Sequence, residues 1–209
     1  MNVFTEEIIR GDIAIQDGII AGIGSFHGKE ERDLAGRYVC PGFIDSHLHL
    51  ESTLVTPAEL VTAASRHGTT TFIVDPHESA NVSGLAGIDY ILDQTEDVKA
   101  NVYVMMPSCV PATAIDDNGC TLTAEDMVPY LHNSRILGLG EVMDSISVVQ
   151  GEKSMHDKLE LFEGRIRDGH APFLEEGDLQ AYAMAGIATD HECSFFDYAM
   201  RERRNGLTI

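Results

Sequence analysis

Positive charge is scarce in this sequence: Lys and Arg total 14 against 34 Asp and Glu, a formal net charge of −20. A chain this acidic repels phosphate backbones and anionic bilayers, so no nucleic acid and no membrane are expected as partners. A small neutral or cationic substrate fits better. Cysteine is sparse as well. Cys40, Cys109, Cys120 and Cys193 are scattered with no C-x-x-C pair, which argues against both a zinc knuckle and a secreted disulfide scaffold and leads us to expect reduced thiols in a cytoplasm. No apolar run reaches the length needed to span a bilayer, and the opening MNVFTEEIIR is too acidic and too poor in apolar residues for a signal peptide. Neither G-x-G-x-x-G nor G-x-x-x-x-G-K-[ST] occurs, which disfavours nucleotide-phosphate binding.

Hydrophobic residues are plentiful. At 44% of 209 residues they are ample for a packed core, and the length suits one domain or one domain with a small appendage. Residues 11–24, GDIAIQDGIIAGIG, alternate apolar and polar around a D-G turn and predict a β-hairpin. A further short strand is expected near 37–40. We therefore expect an N-terminal β-segment over 1–40, followed by a larger unit over 41–209. In the second unit, apolar or β-branched runs recur at 42–45, 70–74, 101–105, 136–139, more weakly at 165–167, and at 186–189. The stretches between them, such as TPAELVTAASRHG and EKSMHDKLELFEG, carry helical spacing with helix formers and terminal glycines. Strand and helix in alternation predict a parallel sheet covered by helices.

Both a doubly wound sheet and part of a (β/α)8 barrel fit six such strands. The polar residues favour the barrel. In order, the strand ends read DSHLHLE, DPHES, MMPSCVP, LGEVMD, DGHAP and TDHEC, each rich in His, Asp, Glu, Ser or Cys. Barrels build their sites from the C-terminal ends of many strands, whereas doubly wound sheets concentrate chemistry at one switch point. The first of these ends is a His-x-His at the close of an apolar run. Alternate side chains of a strand share a face, so His47 and His49 point the same way and can hold one cation. Glu141, His170 and His191 follow later strands in the same manner. Imidazole and carboxylate suit divalent zinc, manganese or iron, and one carboxylate can bridge two ions. Taken singly, each has a plainer explanation: Glu141 as a solvated strand-end carboxylate, His170 and His191 as partners of backbone carbonyls. Their conjunction at matching strand ends favours metal.

The other histidines divide differently. His67 precedes Gly68 at a helix end, where packing and the helix dipole explain it. His27, His132 and His156 lie in polar segments expected to be exposed, and no role is assigned to them. His77 follows the second strand of the series, where a substrate contact, support of a neighbouring ligand and a structural role all fit. Cys109 lies after the third strand, and a small buried thiol is its commoner reading, with contact to substrate as the alternative.

Six motifs, PGFIDSHLHLES, DPHESANVSG, PSCVPAT, GLGEVMD, DGHAP and AYAMAGIATDHEC, resemble in sequence and order the adenine deaminases of the amidohydrolase superfamily. The resemblance covers almost the whole chain. It implies a metal-dependent (β/α)8 barrel flanked by a small β-sandwich, a binuclear centre of iron or manganese with zinc as an alternative, and hydrolysis of adenine to hypoxanthine and ammonia. Carried over position by position, it makes His47 and His49 ligands of one metal, and His170 and His191 ligands of the other. Glu141 becomes the bridging and catalytic carboxylate. Glu51, His77 and Glu78 become candidates for contact with a purine substrate, and a homo-oligomer is the expected assembly.

The sequence also departs from the family pattern. Ser79 stands where DPHE usually continues with an apolar residue. Against a barrel of about 250 residues, the resemblance places the start of this chain inside the family's first strand and its end before strands seven and eight. The family's strand-eight aspartate, a metal ligand and proton shuttle, lies in that part. Two alternatives accompany the deaminase reading. One is another amidohydrolase, a cyclic amidase or an amino-sugar deacetylase, but the carboxylated lysine of the former would stand where this chain has Glu141, and the nearest lysine is Lys153. The other is a non-catalytic fragment that binds metal without turnover.

Overall fold

The computed structural model describes all residues, 1–209. The chain divides into two compact units, Met1–Gly42 and Phe43–Ile209.

In the first unit β1 (Asp12–Gln16) and β2 (Ile19–Gly24) form an antiparallel hairpin. Its turn is Asp17-Gly18, both residues at positive φ, which gives a two-residue loop the twist that antiparallel strands need. The Asp12 carboxylate accepts the Phe26 N–H at 3.1 Å, and the Phe26 ring lies where a Cβ on Gly22 would be, 2.8 Å from that position. The strand expected near 37–40 does not form. Instead the Arg37 N–H closes a turn on the Leu34 carbonyl at 3.0 Å, with Ala35 and Gly36 at positive φ. Two left-handed residues in succession break the extended path a strand requires.

The second unit holds six parallel strands in sequential order: β3 (Phe43–Leu48), β4 (Thr69–Val74), β5 (Asn101–Pro107), β6 (Ile136–Val142), β7 (Ile166–Gly169) and β8 (Thr189–Asp190). Each pairs with its predecessor, so the sheet has no switch point and curls as part of a (β/α)8 barrel. The intervening helices are α1 (Pro57–Ser65), α2 (His77–Ser83), α3 (Leu85–Gln94), α4 (Ala124–Met127), α5 (Ser145–Gln150), α6 (Lys153–Leu161), α7 (Glu176–Met184) and α8 (Phe196–Arg204). None of them is long and apolar enough to cross a membrane. The last strand is shorter than expected and begins at Thr189, because Gly186 turns with φ 86° and Ile187 packs into the core.

Strands β5 and β6 are covered on both faces, which explains their continuous apolar sequences. Phe72, Val74, Val104, Met106 and Leu139 meet Ile88, Leu159, Phe162 and Tyr182 in one core. Lys158 is buried there too: its ammonium donates to the Ser108 carbonyl at 2.7 Å, while burial lowers its pKa. His156, expected to be exposed, is half-buried and pairs through Nε2 with the Val148 carbonyl at 2.9 Å.

Two glycines let β6 approach its neighbours. A Cβ at Gly138 would lie 2.0 Å from the Ile166 carbonyl oxygen, and one at Gly140 would lie 2.0 Å from Asp75 Oδ2. Gly138→Ala should therefore force β6 and β7 apart and destabilise the chain by about 1–3 kcal/mol, the usual cost of overpacking. Urea unfolding of the two chains tests this, and an unchanged midpoint would contradict the tight strand approach.

Candidate metal centre

Because all six strands run the same way, their C-terminal ends share one rim. That rim gathers the five residues assigned as ligands from the sequence. Glu141, the sixth residue of β6, is the hub and is 1% exposed. Around its Oε1 stand His47 Nε2 at 2.7 Å, His49 Nε2 at 3.0 Å and His191 Nε2 at 3.2 Å. Around its Oε2 stand His77 Nδ1 at 3.5 Å and His170 Nδ1 at 3.7 Å. His47 and His49 face each other as strand alternation predicts, with Nε2 to Nε2 at 3.1 Å. The His47 and His191 rings stack at 3.5 Å between centroids.

The opposite ring atoms fix the orientation of these imidazoles. His49 Nδ1 donates to the Asp75 carbonyl at 2.8 Å, which leaves Nε2 as the lone-pair atom facing Glu141. His47 Nδ1 pairs with Asp168 Oδ2 at 3.2 Å, and His191 Nδ1 lies 3.4 Å from the same oxygen. The other Asp168 oxygen accepts the Thr189 hydroxyl. Asp168 is thus a shared orienting carboxylate, and sequence reasoning missed it. The signal lay in DGH, where only the His drew attention.

Other contacts brace the rim. The Ser108 hydroxyl donates to the Glu141 carbonyl at 2.6 Å, and Ser108 is itself held by Lys158. The Tyr182 hydroxyl on α7 donates to the Val142 carbonyl at 2.5 Å and accepts the His170 N–H at 3.0 Å. Asp190 Oδ1 accepts the Ala171 N–H at 2.9 Å, tying the segments that carry His170 and His191 together.

The residues named as substrate contacts separate. His77 belongs to the ring. Glu51 and Glu78 lie beside it: Glu51 Oε1 accepts the N–H groups of Glu78 and Ser79, both at 3.1 Å, and the Ser52 hydroxyl donates to Glu78 Oε2 at 2.5 Å. They line an open cleft of about 490 Å³ together with Ser79, Val82, Ser83 and Tyr90. Glu51 Oε2 is buried without a hydrogen-bond partner.

The donor set suits a cation. Lone-pair atoms converge on one another with no donor between them, which is repulsive unless a proton or a metal occupies the middle. Glu141 Oε2, His77 Nδ1, His170 Nδ1 and both His191 ring nitrogens are buried and lack hydrogen-bond partners. His47, His49 and Glu141 lie with their ligand atoms within 4.8 Å of one another, as do Glu141, His170 and His191. Protons fill the gap in the metal-free chain. The Glu141 pair raises His49 to about 9 against the opposing effect of burial. Burial pushes His191 down, but pairing with Asp168 and Glu141 outweighs it and raises the group to about 10. Burial likewise pushes Glu141 up, and its contacts with His191, His47 and His49 hold it well below the usual carboxylate range.

Comparison with known proteins agrees with this geometry. Residues 38–205 match the family described as "Amidohydrolase family". The chain belongs to the amidohydrolase family. That family is metal-dependent, and the ring around Glu141 supplies His and Glu groups able to bind metal. Among curated relatives, the adenine deaminase of Desulfitobacterium hafniense (strain Y51) is 59% identical over 100% of this chain and 37% of its own length. The adenine deaminase of Clostridium acetobutylicum is 48% identical over 100% of this chain and again 37% of its own length. The chain therefore spans about 37% of the length of these relatives. Among solved structures, a 5-methylcytosine deaminase from Klebsiella pneumoniae gives a TM-score of 0.49 at 16% identity, over 93% of this chain and 60% of that one.

Three outcomes follow for the amidohydrolase centre. Metal must displace the protons on His49 and His191, so apparent affinity for a divalent ion should rise with pH up to about 9–10, with proton release on binding. In the metal-free chain both groups are raised above the ordinary value of 6.5. Their contribution to stability is full below 6.5 and is lost as pH rises through about 9 and 10. Calorimetric titration at several pH values checks the first point, and a pH-independent affinity would contradict it. Asp168→Asn should weaken metal binding by roughly 10–100-fold, measured by competition with a chromophoric chelator. An unchanged affinity would remove Asp168 from its orienting role.

Proposed function

We propose that this chain carries the metal-binding part of an adenine deaminase, an enzyme that hydrolyses adenine to hypoxanthine and ammonia. The observation that carries the reading is the convergence of four histidines from three strand ends on the buried Glu141, in a chain that matches adenine deaminases along its full length. His47, His49 and Glu141 would hold one ion of a binuclear centre, and Glu141, His170 and His191 would hold the other. Manganese or iron is the metal that the resemblance to adenine deaminases implies, and the imidazole and carboxylate donors of these two sets accept either, with zinc as an alternative.

Bound divalent metal would supply a nucleophilic water at neutral pH, by lowering its pKa to about 7, and a Lewis acid for the ring. The reaction forms a C–O bond at the purine C6 and breaks the bond to the exocyclic nitrogen, and the proton lost by water must reach that nitrogen. His77 suits the role of a substrate contact on the Glu141 side, with Nδ1 turned inward towards Glu141 and Asp75. Glu51 offers its unpartnered Oε2 to a purine N–H, while its other oxygen is fixed by the backbone of α2. Glu78, tied to Ser52, borders the same cleft. Burial holds Glu51 above the ordinary carboxylate value, which suits a group that exchanges a proton with substrate.

A specific observation weighs against the cyclic-amidase alternative. Lys153 is exposed and paired with Asp157 at 2.6 Å, and the buried hub of the ring is Glu141. The substrate partner is a small purine, the expected assembly a homo-oligomer, and the setting a cytoplasm that keeps all four cysteines as free thiols. The work of such an enzyme is adenine catabolism and purine salvage.

The test is ammonia release from adenine by this chain, with manganese or ferrous iron supplied and a full-length relative as control. Release above the metal-only blank, lost in His47→Ala and Glu141→Ala together with at least about a tenfold loss of metal affinity, is expected. Release that survives both substitutions, or metal affinity unchanged by them, would overturn the assignment.

A further inference from the structure

One group of ligating atoms lies outside the two metal sets described above. His77 Nδ1, Cys109 Sγ and a Glu141 oxygen come within 4.8 Å of one another. They stand on the Oε2 side of Glu141, where His77 Nδ1 is 3.5 Å away. Asp75 adjoins them, its Oδ1 at 3.6 Å from the same His77 nitrogen. Asp75 and Glu141 are each 1% exposed and Cys109 is 3% exposed. Both Asp75 oxygens, Glu141 Oε2 and His77 Nδ1 are buried without hydrogen-bond partners.

So many orphaned polar atoms in one place call for an occupant, because a buried unpaired carboxylate is strongly unfavourable. A purine is too large to reach them: Asp75 is packed so closely on β6 that a single Cβ at Gly140 would lie 2.0 Å from its Oδ2. A monatomic cation is not too large, and the partly exposed His77 opens the position to solvent on one side. The sulfur decides what kind of cation. Manganese, magnesium and calcium prefer oxygen, whereas thiolate with imidazole and carboxylate suits zinc, cobalt(II) or ferrous iron.

We infer that His77, Cys109 and Glu141 form a third cation position selective for a thiolate-tolerant divalent metal, with Asp75 as the adjoining carboxylate. Binding converts the Cys109 thiol to a metal thiolate and releases its proton to solvent, with no change of oxidation state. The position shares only Glu141 with the two ions proposed above. Its charge would strengthen the remaining His77 N–H as a donor.

Cobalt(II) is the probe, because a cobalt thiolate has a sulfur-to-metal charge-transfer absorption that nitrogen and oxygen ligands do not produce. Titration of the intact chain should develop this absorption and saturate it within three equivalents, because the two sets without sulfur also take cobalt but add nothing to the band. It should vanish in Cys109→Ser and persist when Cys40, Cys120 and Cys193 are all changed to Ser. Circular dichroism checks that each variant folds. Should Cys109→Ser misfold, His77→Gln should weaken the cobalt affinity of that band by about tenfold or more. No such absorption in the intact chain, its survival in Cys109→Ser, or an affinity unmoved by His77→Gln would overturn the inference. The readout is separate from deamination: the band with no ammonia release would reject the deaminase reading alone, and ammonia release without the band would reject the third position alone.

Discussion

A carboxylate buried at the end of a central strand is the constraint around which the second unit is arranged. Glu141 is 1% exposed, and an ionised group there is costly by several kcal/mol unless it is closely paired. Five imidazoles within 3.7 Å answer that need, and they come from four different strand ends. The surrounding structure serves to keep them there. Gly138 and Gly140 let β6 sit tightly between its neighbours, the Ser108 hydroxyl holds the Glu141 carbonyl while Lys158 holds Ser108, and Asp168 pairs with the His47 ring and adjoins that of His191.

Sheet topology makes the convergence possible. A sheet wound in one direction brings every C-terminal strand end to the same rim, so residues from 47 to 191 meet without any local sequence signal linking them. The hydrophobic core beneath gives the rim its rigidity. Phe72, Val104, Leu139 and Phe162 belong to one core with Tyr182, whose hydroxyl reaches out to hold the His170 backbone. The apolar packing and the polar site are thereby linked through single side chains.

Much of this was legible in the sequence. Strands β5 and β6 carry nearly continuous apolar runs because both their faces are covered, and such runs are plain to read. The five residues that gather at Glu141 were legible as a group because His and Glu repeat at the end of one predicted strand after another. What escaped notice depends on distance in space. Asp168 gains its role from residues 121 positions away in the chain, and Lys158 from one 50 positions away, and neither spacing leaves a periodic trace. The strand expected over 37–40 failed for a local reason, two successive left-handed residues at Ala35 and Gly36. Asp75 and Cys109 stood in quoted motifs, yet their shared burial beside His77 is a property of the fold.

The central claim is that the imidazoles around Glu141 exist to hold metal. The most direct measurement is the anomalous diffraction of crystals loaded with manganese, collected above and below the metal absorption edge. Our account predicts a peak bounded by His47, His49 and Glu141, and a second bounded by Glu141, His170 and His191. Crystals that take up manganese at other places while the ring around Glu141 shows no anomalous density would contradict it.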